Sequence, residues 1–478
     1  MLSKKKSQIG VYGLGVMGRN LALNLEKNGF KVSVYNRTTE GEEHVTIDFL
    51  QNEAWNKNIT GFEAIADFTG SLADPGIILL MVPAGKAVDE VIGKLQPILN
   101  EGAIIIDGGN SNFEDTERRV SELANEGLRF IGMGVSGGEE GALNGPSLMP
   151  GGNPDAWNDV KPFLMKIAAK NPAGEPCCEW MGEGGAGHFV KMVHNGIEYA
   201  DMQILAESYH FMRDLLGYSY DKMAALFEEW NHGILNGYLT EITAEIMHAK
   251  DSDNKPLLEK ILDVAGQKGT GKWTSIHALE FSVPLPATTS AVISRFISGY
   301  VSIRRDTHER FGTSGFDKLP HSDTVVEKLK QAVKASRIMS LSEGFFLIRQ
   351  AALQNGWKIN LSAVAKIWQG GCIIRSELMK EAESSFLKED RIDHLFTSAF
   401  FARQLKNNSE GWRDTVSLAV LKGLPVPAMS AALAHFDSLR CGKLPLNLVQ
   451  AQRDYFGAHT YERVDKDRGE FFHTEWNK

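Results

Sequence analysis

The sequence predicts an α/β domain built on a parallel sheet, then a large all-α domain, then a C-terminal tail. Short β-rich apolar runs alternate with helical periodicity from Gln8 to Ile106, and a glycine motif sits where the first run meets the first helix. After Gly187 the texture changes to long segments with apolar residues at three- and four-residue spacing. A chain of 478 residues also exceeds one hydrophobic core, since domains typically hold roughly 100–200 residues. The expected units are 1–184, 185–442 and 443–478.

Gln8 to Tyr12 reads as a strand, Val16 to Asn28 as a helix and Lys31 to Tyr35 as a second strand, which together make a βαβ unit. Ile77 to Val82, Ala103 to Ile106 and Arg129 to Gly132 read as buried strands of the same parallel sheet, each ending at Gly, Pro or Asn. Pro172 to Gly187 is rich in Pro and Gly and separates this unit from the helices. A helix from His188 to about Leu216 is long enough that much of it must be buried. Leu205-Ala206-Glu207 followed by Trp230-Asn231-His232-Gly233 is similar to Leu341-Ser342-Glu343 followed by Trp368-Gln369-Gly370-Gly371. This is either a duplicated unit or the chance likeness of amphipathic helices. The segment Lys443 to Lys478 is polar, but Phe456, Tyr461, Phe471, Phe472 and Trp476 are costly to leave in water, so the tail is expected to dock on a surface.

Composition excludes several classes of function. With 51 basic and 60 acidic residues the formal charge is −9, which is not the footprint of a nucleic-acid binder. Cys177, Cys178, Cys372 and Cys441 contain no Cys-x-x-Cys and fit neither a disulfide framework nor a zinc site. Every apolar run is shorter than the roughly 20 residues that span a bilayer, so no membrane partner is expected; the charge makes a nucleic-acid partner unexpected, and the cysteine pattern suits a reducing cytoplasm.

Gly13-Leu14-Gly15-Val16-Met17-Gly18 follows a strand and opens a helix, the context in which this glycine spacing cradles a pyrophosphate and makes the domain Rossmann-like and dinucleotide-binding. Where a free ribose hydroxyl would call for Asp or Glu, the chain has Asn36-Arg37-Thr38, which points to NADP through a guanidinium suited to the 2′-phosphate. The second glycine cluster, Met133 to Ala142, includes Ser136, Gly137 and Gly138; it either grips a hydroxyl-rich or carboxylate ligand or forms a tight loop. Lys191, Asn195 and Glu198 stand at i, i+4 and i+7, on one face of a helix. Lys191 suits a general base if burial and a nearby positive charge lower its pKa, Glu198 suits a general acid, and His194 is at most a ligand contact. Gln267 to Thr274, with Lys268 and Thr270, reads as an anion loop but lacks Walker A spacing. Arg295, Arg453 and His459 add local positive charge, whereas Lys4 to Lys6 and Arg304-Arg305 read as solvated charge.

In this order the motifs resemble the 6-phosphogluconate dehydrogenase family over nearly the whole chain: GLGVMG at Gly13, NRT at Asn36, DGGN at Asp107, VSGGEEGA at Val135, GGAGHFVKMVHNGIEY at Gly184, QKGTGKWT at Gln267 and QRDYFGAHTYER at Gln452. The resemblance implies oxidative decarboxylation of 6-phosphogluconate to ribulose 5-phosphate with NADP, in the pentose phosphate pathway. It implies a helical domain with an internal duplication and a homodimer whose tails are exchanged. By motif, Lys191 would be the general base and Glu198 the general acid, while Asn110, Ser136, Gly137, Gly138, His194, Asn195 and Tyr199 would surround the sugar acid. Lys268, Thr270 and Arg295 would hold the phosphate, joined by Arg453 and His459 of the partner subunit. Val82, Pro83, Ala84 and Asn110 would meet the nicotinamide side; many relatives have lysine where this chain has Pro83, so the contact there would be through the backbone. No metal is expected. A short-substrate β-hydroxyacid dehydrogenase is disfavoured by the chain's length and by Arg453 and His459, and a non-catalytic NADPH-binding protein by the presence of both Lys191 and Glu198.

Overall fold

The computed structural model describes residues 6–312, 318–389 and 392–476. Lys4 and Lys5 of the basic start lie outside the described residues. Strands β1 (Ile9–Tyr12), β2 (Val32–Tyr35), β3 (Ile59–Phe62), β4 (Ile77–Leu80), β5 (Ile104–Asp107), β6 (Arg129–Ser136) and β7 (Ser147–Gly152) form one sheet in the order β3-β2-β1-β4-β5-β6-β7. Around it lie α1 (Val16–Lys27), α2 (Val45–Asn52), α3 (Ile65–Gly70), α4 (Lys86–Leu95), α5 (Phe113–Asn125), α6 (Gly138–Asn144) and α7 (Trp157–Ile167). All four residues of β1, β4 and β5 are buried because both faces of the sheet are covered: Val11, Leu79 and Ile106 enter one core, Tyr12, Ile78 and Ile105 the other.

The five strands expected from the sequence, β1, β2, β4, β5 and β6, run parallel, and the sheet gains two further strands, β3 and β7. β7 runs antiparallel to β6, with Ile131 opposite Gly152 and Ser136 opposite Ser147. Its sequence, SLMPGG, has neither β-branched residues nor alternation, so pairing with β6 rather than local propensity makes it a strand. β3, sequence ITGF, escaped notice although Ile59 and Thr60 are β-branched, because the run is only four residues long and Gly61 interrupts it. β6 also extends past Gly132 to Ser136, which puts Met133 to Ser136 in the strand instead of a loop.

The helical part comprises α8 (Ala186–His210), α9 (Tyr220–Trp230), α10 (Tyr238–His248), α11 (Thr270–Glu280), α12 (Pro286–Gly299) and α13 (Val301–Phe311). It continues through α14 (Asp323–Asn355), α15 (Leu361–Ile367), α16 (Glu377–Lys388), α17 (Ala399–Leu421), α18 (Pro427–Arg440) and α19 (Leu446–Gly457). The long helix expected to reach Leu216 keeps α geometry only to His210; Phe211–Leu215 is a π turn. α8 lies on the sheet because β6 presents glycines to it. A Cβ on Gly134 would stand 2.4 Å from Lys191 Cβ, and one on Gly132 2.7 Å from His188 Nδ1. Lys191 is thereby seated against the sheet.

α8 and α14 also pack on each other, closely enough that a Cβ on Gly344 would meet Ile197 Cδ1 at 2.4 Å. Across their contact Arg337 Nη2 donates to Asp201 Oδ2 at 2.8 Å, and Nε lies 2.7 Å from Oδ1. Glu207 on α8 accepts from the first backbone N–H groups of α18, Ala428 and Met429, at 2.8 and 2.9 Å. Glu343 on α14 does the same for α12, accepting from Ala287 at 3.2 Å and Thr288 at 3.4 Å. The tail folds back on α19: Asp454 accepts from Thr460 N, Thr474 N and Trp476 Nε1, at 3.0, 3.0 and 2.8 Å. Phe456 and Phe471 stay 73% and 68% exposed, so among the described residues nothing covers these two rings.

Candidate active site

Helical spacing puts Lys191, His194, Asn195 and Glu198 within two turns of α8, and the glycines of β6 hold that stretch in the interior. Lys191 Nζ donates to Asn195 Oδ1 at 2.8 Å and lies 3.4 Å from His194 Nδ1. His194 Nδ1 is 3.0 Å from Asn195 Oδ1 and 3.8 Å from Glu198 Oε2, while its Nε2 is 3.1 Å from Ser136 Oγ. Asn195 Nδ2 donates to Thr270 Oγ1 at 3.0 Å, tying α8 to the start of α11. Lys191 is only 6% exposed.

Burial pushes Lys191 below the usual lysine range, against the opposing pull of Glu198 and Cys372. The neighbouring cation expected from the sequence is absent from this balance; desolvation does the work without it. Burial also raises the Glu198 carboxyl, opposed by Lys191 and Arg295, and holds the His194 imidazole well below its ordinary value. The face therefore carries an amine biased toward the free base and a carboxyl biased toward the acid, the pairing a proton relay requires.

The remaining expected site residues fall into three groups. Ser136 is buried at the end of β6, with Gly137 at φ +124° and Gly138 at φ +63° turning the chain into α6. A Cβ on Gly137 would lie 2.7 Å from the carbonyl oxygen of Gly371, so this glycine is required by close approach as well as by the turn. On the other side, Arg295 stacks on Tyr199 with its guanidinium carbon 3.4 Å from the ring centroid, and Gly269 at φ +95° opens α11 at Thr270. Lys268, just before that start, is exposed. Arg453 and His459 lie exposed on the tail segment, where Arg453 Nη1 donates to Gln450 Oε1 at 3.1 Å. Among the described residues no hydrogen bond or ion pair joins either of them to Lys268, Thr270 or Arg295.

The glycine motif forms a cradle. Gly13 takes φ +100°, where a Cβ would stand 2.4 Å from Met81 O, and a Cβ on Gly18 would stand 1.9 Å from Gly13 O. Gly15 faces open space, and α1 begins there with no side chain capping its N–H groups, which leaves them for an anion. Leu14 N donates to Asn36 Oδ1 at 3.0 Å, so Asn36 braces the cradle from the end of β2. Arg37 follows it into a cavity of about 260 Å³ that Gly13, Gly15, Val82 and Pro83 also line. Val16 is exposed and Met17 half-buried at the helix start, Thr38 and Ala84 are exposed, and Asn110 is exposed at the end of the β5 loop. That loop is shaped by Asp107, which accepts from Ser111 Oγ at 2.6 Å and Gly109 N at 2.9 Å.

Sequence reasoning missed the groups that close the site from afar. Trp368 packs edge-on against His194, ring centroids 5.6 Å apart, and Gly371 touches the Gly137 turn. The Trp-x-Gly-Gly pattern was their signal, but it pointed to a repeat and not to the site. Glu114, His277 and Glu280 bring ligand atoms within 4.8 Å of one another, a His/Glu group capable of holding a metal ion that their distance in sequence conceals. It lies at the opposite end of α11 from Thr270.

Residues 8–182 match the family model of the NAD binding domain of 6-phosphogluconate dehydrogenase, and residues 187–476 that of its C-terminal domain. The chain is 50% identical over 471 residues to the decarboxylating 6-phosphogluconate dehydrogenase of Haemophilus influenzae, covering 98% of this chain and 96% of that protein. It is 47% identical to the Homo sapiens enzyme of the same description, with 98% and 97% covered. A solved Plasmodium falciparum 6-phosphogluconate dehydrogenase, described in its apo form and in complex with its cofactor NADP+ and its substrate 6-phosphogluconate, superposes with a TM-score of 0.93 at 40% identity, covering 98% of this chain and all of that one.

Proposed function

The chain belongs to the 6-phosphogluconate dehydrogenase family, and from that premise we propose which of its residues carry the reaction. The reaction is the oxidative decarboxylation of 6-phosphogluconate to ribulose 5-phosphate and carbon dioxide, with NADP reduced to NADPH, a step of the pentose phosphate pathway. The observation that carries the assignment of roles is the buried face of α8, with a lowered lysine and a raised carboxyl seven residues apart.

NADP fits the uncapped start of α1, the open space at Gly15 and the guanidinium of Arg37, and when bound it accepts the substrate's hydride. Leu14, Val16 and Met17 with the three motif glycines surround the pyrophosphate; Asn36, Arg37 and Thr38 meet the 2′-phosphate; Val82, Pro83, Ala84 and Asn110 flank the nicotinamide. Lys191, lowered by burial, takes the proton of the hydroxyl being oxidised, which leaves a β-keto acid. The ammonium so formed is held by Asn195 Oδ1 and donates to the new carbonyl oxygen, which accepts the electron pair of the breaking carbon–carbon bond as carbon dioxide departs. Glu198, raised by burial, returns a proton to the enediol carbon. Asn110, Ser136, Gly137, Gly138, His194, Asn195 and Tyr199 surround the sugar acid, and Lys268, Thr270 and Arg295 receive its phosphate.

Arg453 and His459 act on the partner subunit's phosphate within a homodimer with exchanged tails. Their isolation from Lys268 and Arg295 supports this, as do the exposed Phe456 and Phe471 and the exposed Ile297 of α12, Tyr300 at the junction and Ile303 of α13. Mixing an inactive Lys191→Met protein with an inactive Arg453→Ala protein, under conditions that exchange subunits, should restore part of the activity; no recovery despite exchange overturns the shared site. We divide the chain at 1–184, 185–442 and 443–478 and read α8–α12 and α14–α18 as a duplicated unit, supported by the matched Glu207 and Glu343 caps. No helix among the described residues is long and apolar enough to cross a membrane, and the four cysteines are free, which suits a reducing cytoplasm. The decisive assay follows NADPH and carbon dioxide together, with 6-phosphogluconate and unphosphorylated gluconate in parallel. Equal yields from the first and little from the second are expected; NADPH without carbon dioxide overturns the proposed roles after oxidation.

A further inference from the structure

The loop after β2 carries an acid that the reaction does not use. Glu42 Oε2 accepts from Arg37 Nε at 2.9 Å and from Thr39 Oγ1 at 3.2 Å, and Arg37 and Glu42 line the same cavity as Gly13 and Gly15. A carboxylate thus already occupies the guanidinium that stands where the ribose of a dinucleotide lies in this fold. The pair's hydrogen bond holds Glu42 below the usual carboxylate range and raises Arg37. α4 adds Glu90 and Lys94 to the same cavity, so its charged lining holds two cations and two anions, and Lys86 Nζ lies 3.6 Å from Glu90 Oε1 on the same helix.

This charge balance bears on which dinucleotide the cavity prefers. A 2′-phosphate entering it must displace Glu42 from Arg37 or approach two carboxylates. A ribose diol instead finds in Glu42 the kind of acceptor that holds a 2′-hydroxyl. We propose that Glu42 is a cofactor-specificity residue of this chain: an internal anion that competes with the 2′-phosphate of NADP for Arg37 and so narrows the preference for NADP over NAD. The inference rests on the assignment of Arg37 to the 2′-phosphate. With side chains 54% and 39% exposed, the pair is a surface ion pair, worth about two- to fivefold in a binding constant.

The test is equilibrium titration of NADP and of NAD, followed by calorimetry, into the full-length wild-type protein and its Glu42→Gln, Arg37→Ala and Arg37→Ala/Glu42→Gln variants. Far-ultraviolet circular dichroism checks the fold of each, and Glu42→Ala serves as a second removal of the charge. Glu42→Gln is expected to tighten NADP about two- to fivefold and to leave NAD unchanged or weaker, with the gain lost when Arg37 is also replaced. NADP binding that is unchanged or weaker in both charge-removing variants, or a gain that survives without Arg37, overturns the role of Glu42. If Arg37→Ala weakens NADP and NAD equally, the assignment of Arg37 fails instead.

Discussion

α8 and α14 are the two longest helices among the described residues, packed on each other, and each carries a glutamate that caps a distant helix. The salt bridge between them joins Asp201, six residues before Glu207, to Arg337, six residues before Glu343. Yet the residues proposed to move protons lie on α8. Sixteen residues before Glu207 stands Lys191, buried against Gly134 of the sheet; sixteen before Glu343 stands Glu327, exposed. α14 packs on α17 and α18, whereas α8 packs on β6 and β7. Similar helices acquire different roles from the surface each is laid on, because a lysine becomes a base only where packing removes its water.

The sharpest way to break this comparison is to exchange function for shape at both positions. Lys191→Met should lower kcat by about 10²- to 10⁴-fold while leaving NADP binding and the circular dichroism spectrum intact, and Glu327→Gln should leave kcat within about twofold. Comparable losses from the two would mean that α8 holds no special role. Next in size is the shared ion pair. Arg337→Leu should destabilise the protein by about 3–5 kcal/mol in urea unfolding by stranding Asp201, and adding Asp201→Leu should recover part of that loss.

The two capping glutamates separate more finely. Glu343 has His435 Nδ1 at 2.9 Å, whereas Glu207 has only Gln203 beside the backbone groups it caps, and burial pushes its carboxyl from 4.5 up to about 7. Folding therefore favours the protonated form. The stabilising contribution is whole below 4.5 and is lost as the pH rises through about 7. Glu207→Gln, fixed in the neutral state, should flatten the curve of stability against pH across that window by on the order of 3 kcal/mol; an unchanged curve would show that the cap is ionised throughout. The smallest effect belongs to an exposed group outside both helices. Arg37→Ala should weaken NADP by about 1–3 kcal/mol in titration and barely affect NAD.

The βαβ start, the glycine cradle and the Lys191, Asn195, Glu198 face were legible in the residues because each depends on neighbours within a turn or two, where helix and strand periods hold. The resemblance carried in the roles of Arg295, Arg453 and His459, which no local pattern supplies. What escaped was set by partners far along the chain. β7 became a strand only by pairing with β6, Trp368 reached His194 only through the packed core, and burial lowers the lysine's proton affinity without the cation expected beside it. Spacing in the sequence places a side chain on a face, but the water that face loses depends on segments hundreds of residues away, and desolvation, more than any neighbour, sets the proton affinities on α8.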